Sequence, residues 1–168
     1  PIGLVAGMIA QAYGAHAILL DLVQERLDFA KKLGIEFVVN SAKEDPAARV
    51  AQITGGKMAQ QVMECSGANP AVRLSLDLVS NAGRVTLTGW PKNETSLPTD
   101  LITRKEIDIR GARTSAGEFE EAVELIRTKK VDMGKILTRT VTMDAVPDVI
   151  RDIEKNPGNY MKVVVTMP

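Results

Sequence analysis

The chain has 168 residues, 45% of them apolar, which suffices for one domain with a packed core and not for two ordinary domains. Lys and Arg together number 21, as do Asp and Glu, so no overall field favours nucleic acid or an anionic membrane. A single cysteine excludes an internal disulfide, and no uncharged apolar run reaches the length of about 18 residues that indicates a membrane span. We therefore expect a cytoplasmic protein with neither nucleic-acid nor membrane partners.

Apolar runs of strand length alternate with segments of helical period through the first half of the chain. We predict strands over 17–20, 37–39, 61–65 and 84–88, and helices over 3–13, 24–33, 45–53 and 70–79. Gly14 and Gly34 are expected to end the first two helices, because glycine readily takes the left-handed conformation of a helix C-terminus.

The pattern changes after residue 90, where a loop rich in Pro, Asn and Ser over 91–99 leads to an alternating strand over 107–110. Helices over 118–128 and 145–154 and a last strand over 162–166 are predicted beyond it. Strands apolar on both faces and joined by crossover helices favour a parallel sheet covered on both sides. The predicted fold class is a doubly wound α/β fold over residues 1–168, with strand order 3-2-1-4-5-6.

The first five residues, Pro-Ile-Gly-Leu-Val, are typical of the end of a phosphate-binding loop that opens a helix. In a dinucleotide-binding unit the fingerprint G-x-G-x-x-G lies between the first strand and this helix, and an acidic residue follows about 20 residues later. Gly3 fits the last glycine and Asp21 fits the acid. The first strand would then precede Pro1, so we expect the chain to be truncated within its phosphate loop.

These positions have a definite chemistry in such a unit. The N–H groups of Ile2 and Gly3, at the positive end of a helix dipole, would face a pyrophosphate. Asp21 would accept hydrogen bonds from the diol of an adenosine ribose and repel a 2′-phosphate, which favours NAD over NADP. The alternatives are a tight helix–strand contact for Gly3 and a helix N-cap for Asp21.

Further segments match one known family in order and spacing. They are Pro1-Ile-Gly-Leu4, Asp21 with Arg26-Leu27 and Ala30-Lys-Lys-Leu-Gly34, Glu64-Cys-Ser-Gly67, Gly83-Arg-Val-Thr-Leu-Thr-Gly89, Lys105-Glu-Ile-Asp-Ile-Arg-Gly111 and Tyr160-Met-Lys-Val-Val-Val165. Together they resemble the medium-chain, zinc-type alcohol and polyol dehydrogenases, nearest to the sorbitol and threonine dehydrogenase branch. The resemblance covers the whole chain.

The resemblance implies roles for several side chains. Arg26 matches an arginine that covers the adenosine ribose, and Thr88, Gly89 and Trp90 match the position whose backbone contacts the nicotinamide carboxamide. Arg113 matches an arginine near the nicotinamide–pyrophosphate end, and Lys162 a basic residue that reaches the pyrophosphate. The alternatives are a solvated helix arginine for Arg26, a loop cap for Trp90 and a surface lysine for Lys162.

The resemblance also implies an activity for the full-length protein, which is NAD-dependent oxidation of a secondary alcohol in a polyol, sugar acid or amino alcohol. Zinc is expected only in an N-terminal domain outside this chain. One cysteine, Cys65, and one histidine, His16, cannot form a site of three or four such ligands. Cys65 is predicted to be a small buried hydrophobe and His16 a surface residue. We expect no catalytic or metal-binding residue here, and no activity from the isolated chain.

Two other functions remain open at this point. The chain could be a non-catalytic NAD-sensing module, or part of a zinc-free quinone or enoyl reductase, although such reductases usually favour NADP and Asp21 argues against that. The family also pairs edge strands across a two-fold axis. Because Leu97, Leu101 and Ile102 have no evident helical partner, we predict a homodimer or homotetramer through Leu97–Thr103.

Overall fold

The computed structural model describes residues 1–167, which alternate between helices and strands. The helices are α1 (Ile2–Ala12), α2 (Gln24–Lys32), α3 (Pro46–Ile53), α4 (Asn69–Leu78), α5 (Thr99–Lys105), α6 (Phe119–Arg127) and α7 (Val146–Lys155). The strands are β1 (Ile18–Asp21), β2 (Phe37–Asn40), β3 (Ala59–Glu64), β4 (Val79–Leu87), β5 (Asp108–Gly111), β6 (Leu137–Thr142) and β7 (Lys162–Thr166). None of the helices in this described part is long and apolar enough to cross a membrane.

The chain divides into two compact units. The first comprises residues 3–42 together with residues 120–167, and the second comprises residues 43–119. In the first unit β1 pairs with β2 in parallel, with Asp21 opposite Asn40, and β6 pairs with β7 in parallel. The core of this unit is built from one buried residue of α1, one of α2, one of the following turn and one that precedes β6, namely Leu4, Ala30, Ile35 and Ile136.

Helices α1 and α2 both end in the way that the glycine positions predict. Gly34 has a φ of +93°, its N–H donates to the carbonyl of Lys31, and the N–H of Ile35 donates to the carbonyl of Ala30. This pair of bonds satisfies two carbonyl groups that the helix leaves free. It also delivers Ile35, which is fully buried, into the core. Gly14 ends α1 with the same pattern of bonds.

In the second unit β3, β4 and β5 form one parallel sheet in that order. Its core contains four buried side chains, Leu76, Val79, Val85 and Ile107. Asp45 caps α3 by accepting the N–H groups of Ala47 and Ala48, and Pro46 occupies the first turn, where a helix tolerates proline. In the predicted order 3-2-1-4-5-6, strands 2 to 6 correspond to β1 to β5. That order requires β1 beside β2, and β4 between β3 and β5, and both pairings are observed.

Two elements were not predicted, α5 and β6. A loop was expected over residues 91–99, and the apolar side chains of residues 97–103 were expected to lack a helical partner. Instead Leu97, Leu101 and Ile102 pack against the core of the second unit. Strand β6 was overlooked because Val141 is its only buried residue, so the sequence shows no apolar run. The assembly prediction therefore loses the argument that residues 97–103 carry unpartnered apolar side chains.

Candidate functional site

Asp21 ends β1 at the carboxyl edge of its sheet, where ligands bind in open α/β folds. Its Oδ1 accepts a hydrogen bond from the N–H of Val23 at 3.0 Å, and its Oδ2 lies 3.8 Å from a guanidinium nitrogen of Arg26. The N-cap of α2 is Val23, so Asp21 is not the N-cap that the alternative interpretation required. Its side chain is 29% exposed, which leaves the carboxylate in reach of a ligand.

Arg26 lies on the first turn of α2 and faces this carboxylate. Its Nε is buried and has no hydrogen-bond partner among residues 1–167. A buried N–H without a partner costs about 1–3 kcal/mol, so such an atom in a native structure needs an explanation. An acceptor on a ligand held beside Asp21 would provide the missing hydrogen bond. Arg26 is therefore not the fully solvated helix arginine of the alternative interpretation.

The N-terminus of α1 has no capping side chain. Pro1 occupies the N-cap position without a side-chain hydrogen bond, and the first turn holds no acidic residue. Helix geometry leaves the N–H groups of Ile2 and Gly3 without intrahelical acceptors, and the helix dipole makes this end attractive to an anion. Close packing of α1 is seen one turn later at Gly7, where a Cβ would lie 3.2 Å from Cδ1 of Ile35.

Thr88 and Gly89 follow β4, at the carboxyl edge of the second sheet. Their two N–H groups both donate to the carbonyl oxygen of Glu64, at 2.9 and 3.0 Å. The Thr88 hydroxyl donates to the same oxygen at 2.7 Å. Within the described residues no hydrogen bond reaches the carbonyl oxygens of Thr88 and Gly89. Those carbonyls are the backbone groups that a carboxamide could meet here.

The side chain of Glu64 is turned inward at this edge, and the residue is only 6% exposed. Its Oε1 accepts hydrogen bonds from the N–H of Ser66 at 2.8 Å and from the Ser66 hydroxyl at 2.5 Å. The N–H of Gly67 is shared between the two carboxylate oxygens, at 3.2 and 3.0 Å. Residue 64 thus holds the loop that follows β3 with its side chain and the loop that follows β4 with its carbonyl.

Two glycines allow these loops to touch. A Cβ on Gly89 would lie 2.0 Å from the Gly67 nitrogen and 2.7 Å from Oε2 of Glu64. A Cβ on Gly67 would lie 2.5 Å from the carbonyl carbon of Trp90, and Gly67 has a φ of +69°. No L-residue with a side chain fits either position without a shift of backbone atoms, so the contact between the loops requires both glycines.

Trp90 and Arg113, predicted separately, lie together. The Arg113 guanidinium carbon sits 4.4 Å from the centre of the Trp90 ring, within the range of a cation–π contact. The tryptophan is nevertheless 71% exposed. The pair forms a flat, positively charged surface beside the Thr88–Gly89 backbone, able to accept an aromatic ring or an anionic group.

Lys162 begins β7, and its side chain is exposed. Its ammonium group makes no hydrogen bond or ion pair with any residue in the described range 1–167, and its carbonyl accepts a hydrogen bond from Thr138. The geometry of the first unit therefore fits the interpretation of Lys162 as a surface lysine, and does not join its side chain to Asp21 or Arg26.

Cys65 and His16 differ in their exposure. His16 has an 86% exposed side chain and lies 3.9 Å from Glu36, as expected of a surface residue. Cys65 is half-buried, and burial raises the pKa of its thiol, with the neighbouring Thr88 hydroxyl acting in the opposite direction. No group of three or more His, Cys, Asp or Glu side chains within residues 1–167 could hold a metal ion.

Comparison with known proteins decides the family. The family model described as zinc-binding dehydrogenase matches residues 1–128. The chain belongs to the zinc-binding dehydrogenase family. The resemblance and the fold class predicted from the sequence are thereby confirmed, and oxidoreductase is the activity class of this family.

Individual members of the zinc-binding dehydrogenase family match nearly the whole chain. An uncharacterized zinc-type alcohol dehydrogenase-like protein of Haemophilus influenzae is 49% identical over 96% of this chain and 47% of its own length. A sorbitol dehydrogenase of Halalkalibacterium halodurans is 31% identical over 99% of this chain and 49% of its own length. The chain thus spans about half the length of the curated relatives it matches.

A solved structure supports the same fold. The alcohol dehydrogenase TADH of Thermus sp. ATN1 superposes on all of this chain and on 49% of its own, with a TM-score of 0.91 and 25% identity. The described part of the chain therefore has a Rossmann-type α/β fold.

The residue that sequence reasoning missed is Glu64. It was noted only as part of a matching segment, and its buried carboxylate was not expected. A signal was present, because an acidic residue that ends an apolar strand and precedes Ser66 and Gly67 offers a carboxylate to the N–H groups of the next turn. Gly7 was likewise missed as the glycine at a close helix contact.

Proposed function

We propose that this chain is the cofactor-binding part of an NAD-dependent, zinc-type dehydrogenase that oxidises a secondary alcohol of a polyol, sugar acid or amino alcohol. The observation that carries the proposal is Asp21 at the end of β1, partly exposed and beside Arg26, whose Nε is buried and has no hydrogen-bond partner within residues 1–167. Relatives named for sorbitol support the polyol class. NAD, when bound, supplies the nicotinamide carbon that accepts a hydride.

The residues present fit NAD. In this proposal Asp21 accepts the ribose diol, and the uncapped start of α1 at Ile2 and Gly3 binds the pyrophosphate. A 2′-phosphate beside Asp21 would bring two negative charges together, so NADP is disfavoured. The Arg26 Nε gains an acceptor from the adenosine moiety.

Thr88, Gly89, Trp90 and Arg113 are proposed for the nicotinamide end of the cofactor, and Lys162 for its pyrophosphate. Thr88 and Gly89 offer backbone carbonyls to the carboxamide, whose amide N–H groups are donors. Trp90 and Arg113 lie beside them with a flat, positive surface. Lys162 is proposed to reach the pyrophosphate, and its exposed, unpaired ammonium group is free to move toward one.

The test is isothermal titration of the native protein that contains this chain with NAD and with NADP. We expect the Kd for NAD to be at least about tenfold lower than the Kd for NADP. Charge repulsion of about 1.4 kcal/mol between Asp21 and the 2′-phosphate of NADP corresponds to that ratio. Equal or tighter binding of NADP contradicts the proposal. NAD binding without any oxidation of polyols, sugar acids or amino alcohols would favour the NAD-sensing module instead.

We also propose that residues 1–168 alone do not oxidise alcohols, with or without added zinc. The support is that no group of three or more His, Cys, Asp or Glu side chains within residues 1–167 could hold the zinc ion of a zinc-type dehydrogenase. Purified chain assayed for NADH formation at 340 nm, with zinc added and omitted, tests this. Turnover by the isolated chain contradicts it.

A homodimer or homotetramer is a further part of the proposal. Because the apolar side chains of residues 97–103 are used within the second unit, its support now comes from the strand to which this segment leads. β5 is the outer strand of its sheet and has no partner on its far side within residues 1–167. Such an edge can pair with a second copy. Light scattering that shows a monomer at micromolar concentration contradicts it.

A further inference from the structure

Glu64 is a buried carboxylate whose charge is balanced by hydrogen-bond donors alone. Within residues 1–167 no Lys, Arg or His side chain forms an ion pair with it. Its compensation comes from Ser66 and Gly67, which direct two N–H groups and one hydroxyl at its two oxygens. Burial of an ionised carboxylate is costly, so a site that keeps one has its donors arranged in advance.

These donors and the neighbouring bonds make Glu64 the joint between two loops. Its carboxylate holds residues 65–67, and its carbonyl holds Thr88 and Gly89 through three hydrogen bonds. The missing Cβ of Gly89 lets the second loop lie directly against Gly67 and Oε2 of Glu64. Displacement of the carboxylate would therefore move the backbone at residues 88–90.

We propose that Glu64 is a positioning residue for cofactor binding. Its carboxylate fixes residues 65–67 against residues 88–90, so that the Thr88–Trp90 backbone meets the nicotinamide end of the dinucleotide in one conformation. The inference rests on the proposed function, because it assigns residues 88–90 to the nicotinamide end.

Both oxygens of the carboxylate act as hydrogen-bond acceptors in this role. A glutamine at position 64 has one oxygen and one NH₂ group in place of two acceptors. With the oxygen toward Ser66, that oxygen keeps the longer bond from the Gly67 N–H, but the NH₂ group replaces the nearer acceptor of the same N–H, and two donors meet. With the amide reversed, the NH₂ group faces the Ser66 N–H. Either arrangement leaves a buried donor unpaired and loosens the loop.

The experiment compares Glu64→Gln with the native protein in binding NADH and AMP. AMP contains the adenosine part alone and does not reach residues 88–90, so it reports on Asp21 and the general state of the fold. We expect about tenfold weaker NADH binding in the variant and AMP binding unchanged within about twofold, since one unpaired buried donor costs about 1–3 kcal/mol. Glu94→Gln is the control, because it removes an exposed charge from the same unit and should change neither affinity.

Each outcome decides the matter. An equal loss of NADH and AMP affinity shows that Glu64 only maintains the fold, and unchanged NADH affinity shows that it does not position the loops; both overturn the inference. If the unsubstituted protein binds neither compound, the proposed function fails and this inference fails with it.

A milder variant covers the case in which Glu64→Gln does not fold. Ser66→Ala removes the hydroxyl, which donates to Glu64 and accepts the N–H of the exposed Ala68, and keeps both backbone donors to Glu64, so we expect the fold to be retained. We expect about threefold weaker NADH binding, in line with the loss of one ordinary hydrogen bond to the carboxylate, and unchanged AMP binding. Unchanged NADH affinity in this variant overturns the inference.

Discussion

Asp21 and Glu64 each end a strand at the carboxyl edge of a parallel sheet, yet the two carboxylates have different surroundings. Asp21 is partly exposed and keeps one carboxylate oxygen 3.8 Å from Arg26, and its carboxylate accepts a hydrogen bond from the N–H of Val23. Glu64 is almost fully buried, and both of its oxygens accept hydrogen bonds from Ser66 or Gly67. The first can therefore bind a ligand directly, while the second can act only through the backbone that it holds.

The packing around the two carboxylates shows the same difference. Gly67 and Gly89 have no space for a side chain, because backbone atoms of the opposite loop occupy it. Near Asp21 the exposed Leu22 follows directly, and the chain is open to solvent. Tight packing therefore constrains the two loops at Gly67 and Gly89, whereas the surroundings of Asp21 leave room for the ligand that we propose there.

The largest effect that tests this difference is expected from Gly89→Ala. The new Cβ would lie 2.0 Å from a backbone nitrogen, which cannot rotate away as a side chain can. We expect the free energy of unfolding to fall by about 3 kcal/mol, at the upper end of typical overpacking costs. Urea denaturation of the native protein measures it. Gly111→Ala is the matched control, since nothing lies within 4 Å of a Cβ there, and a comparable loss in both variants would refute the tight contact.

Asp21→Ala should weaken NAD binding without a similar loss of stability. Loss of a charge-assisted pair of hydrogen bonds to the ribose is expected to cost about 2 kcal/mol, or roughly thirtyfold in affinity. Isothermal titration with NAD and NADP measures both affinities, and the preference for NAD should shrink. Asp28→Ala is the control, because it removes an exposed acid from α2, the helix that follows Asp21, and should leave NAD affinity unchanged. Unaltered NAD binding in Asp21→Ala would assign Asp21 to the local turn alone.

A third carboxylate, that of Asp45, is proposed neither to bind a ligand nor to hold two loops together. Its loss should affect stability alone. It caps α3 through hydrogen bonds from Ala47 and Ala48 at 2.9 and 3.2 Å. Asp45→Ala is expected to lower the free energy of unfolding by about 1 kcal/mol, with NAD affinity unchanged. Asp100→Ala, which removes only an exposed pair with Arg104 at 3.9 Å, should cost less. Thermal and urea unfolding compare the two, and a larger loss at Asp100 would contradict the capping role.

The smallest expected effect is a shift in the titration of Cys65. Burial raises the pKa of this thiol, and the nearby Glu64 carboxylate raises it further. Glu64→Gln removes the second cause, so the pKa falls and more thiolate is present at any pH below it. Alkylation of Cys65 by iodoacetamide, followed by mass spectrometry from pH 7 to pH 10 (a range that brackets the usual value of about 8.5), should reach half its maximal rate at lower pH in the variant. A shift to higher pH would show that the charge of Glu64 does not act on this thiol.

Much of the fold followed from local patterns. Glycine after a helical stretch predicted the ends of α1 and α2, and the valine run predicted β7 with its observed bounds, Lys162–Thr166. Patterns of this kind report one element at a time. They failed for α5, whose Leu101 and Ile102 are apolar because they pack on residues distant in sequence, and for β6, where exposure hides the alternation of a strand.

The candidate site, too, was predicted from the sequence only in part. The sequence by itself determined the family, the alternating α/β order and the acid at the end of β1, because strand ends and turn glycines carry their chemistry in short segments. Only the tertiary structure decided that Glu64 is buried, that Gly67 and Gly89 touch, and that Trp90 meets Arg113. Those pairings join residues more than 20 positions apart, as the bond from Thr88 to Glu64 does. Only when the parallel strands align in one sheet do their carboxyl ends come together.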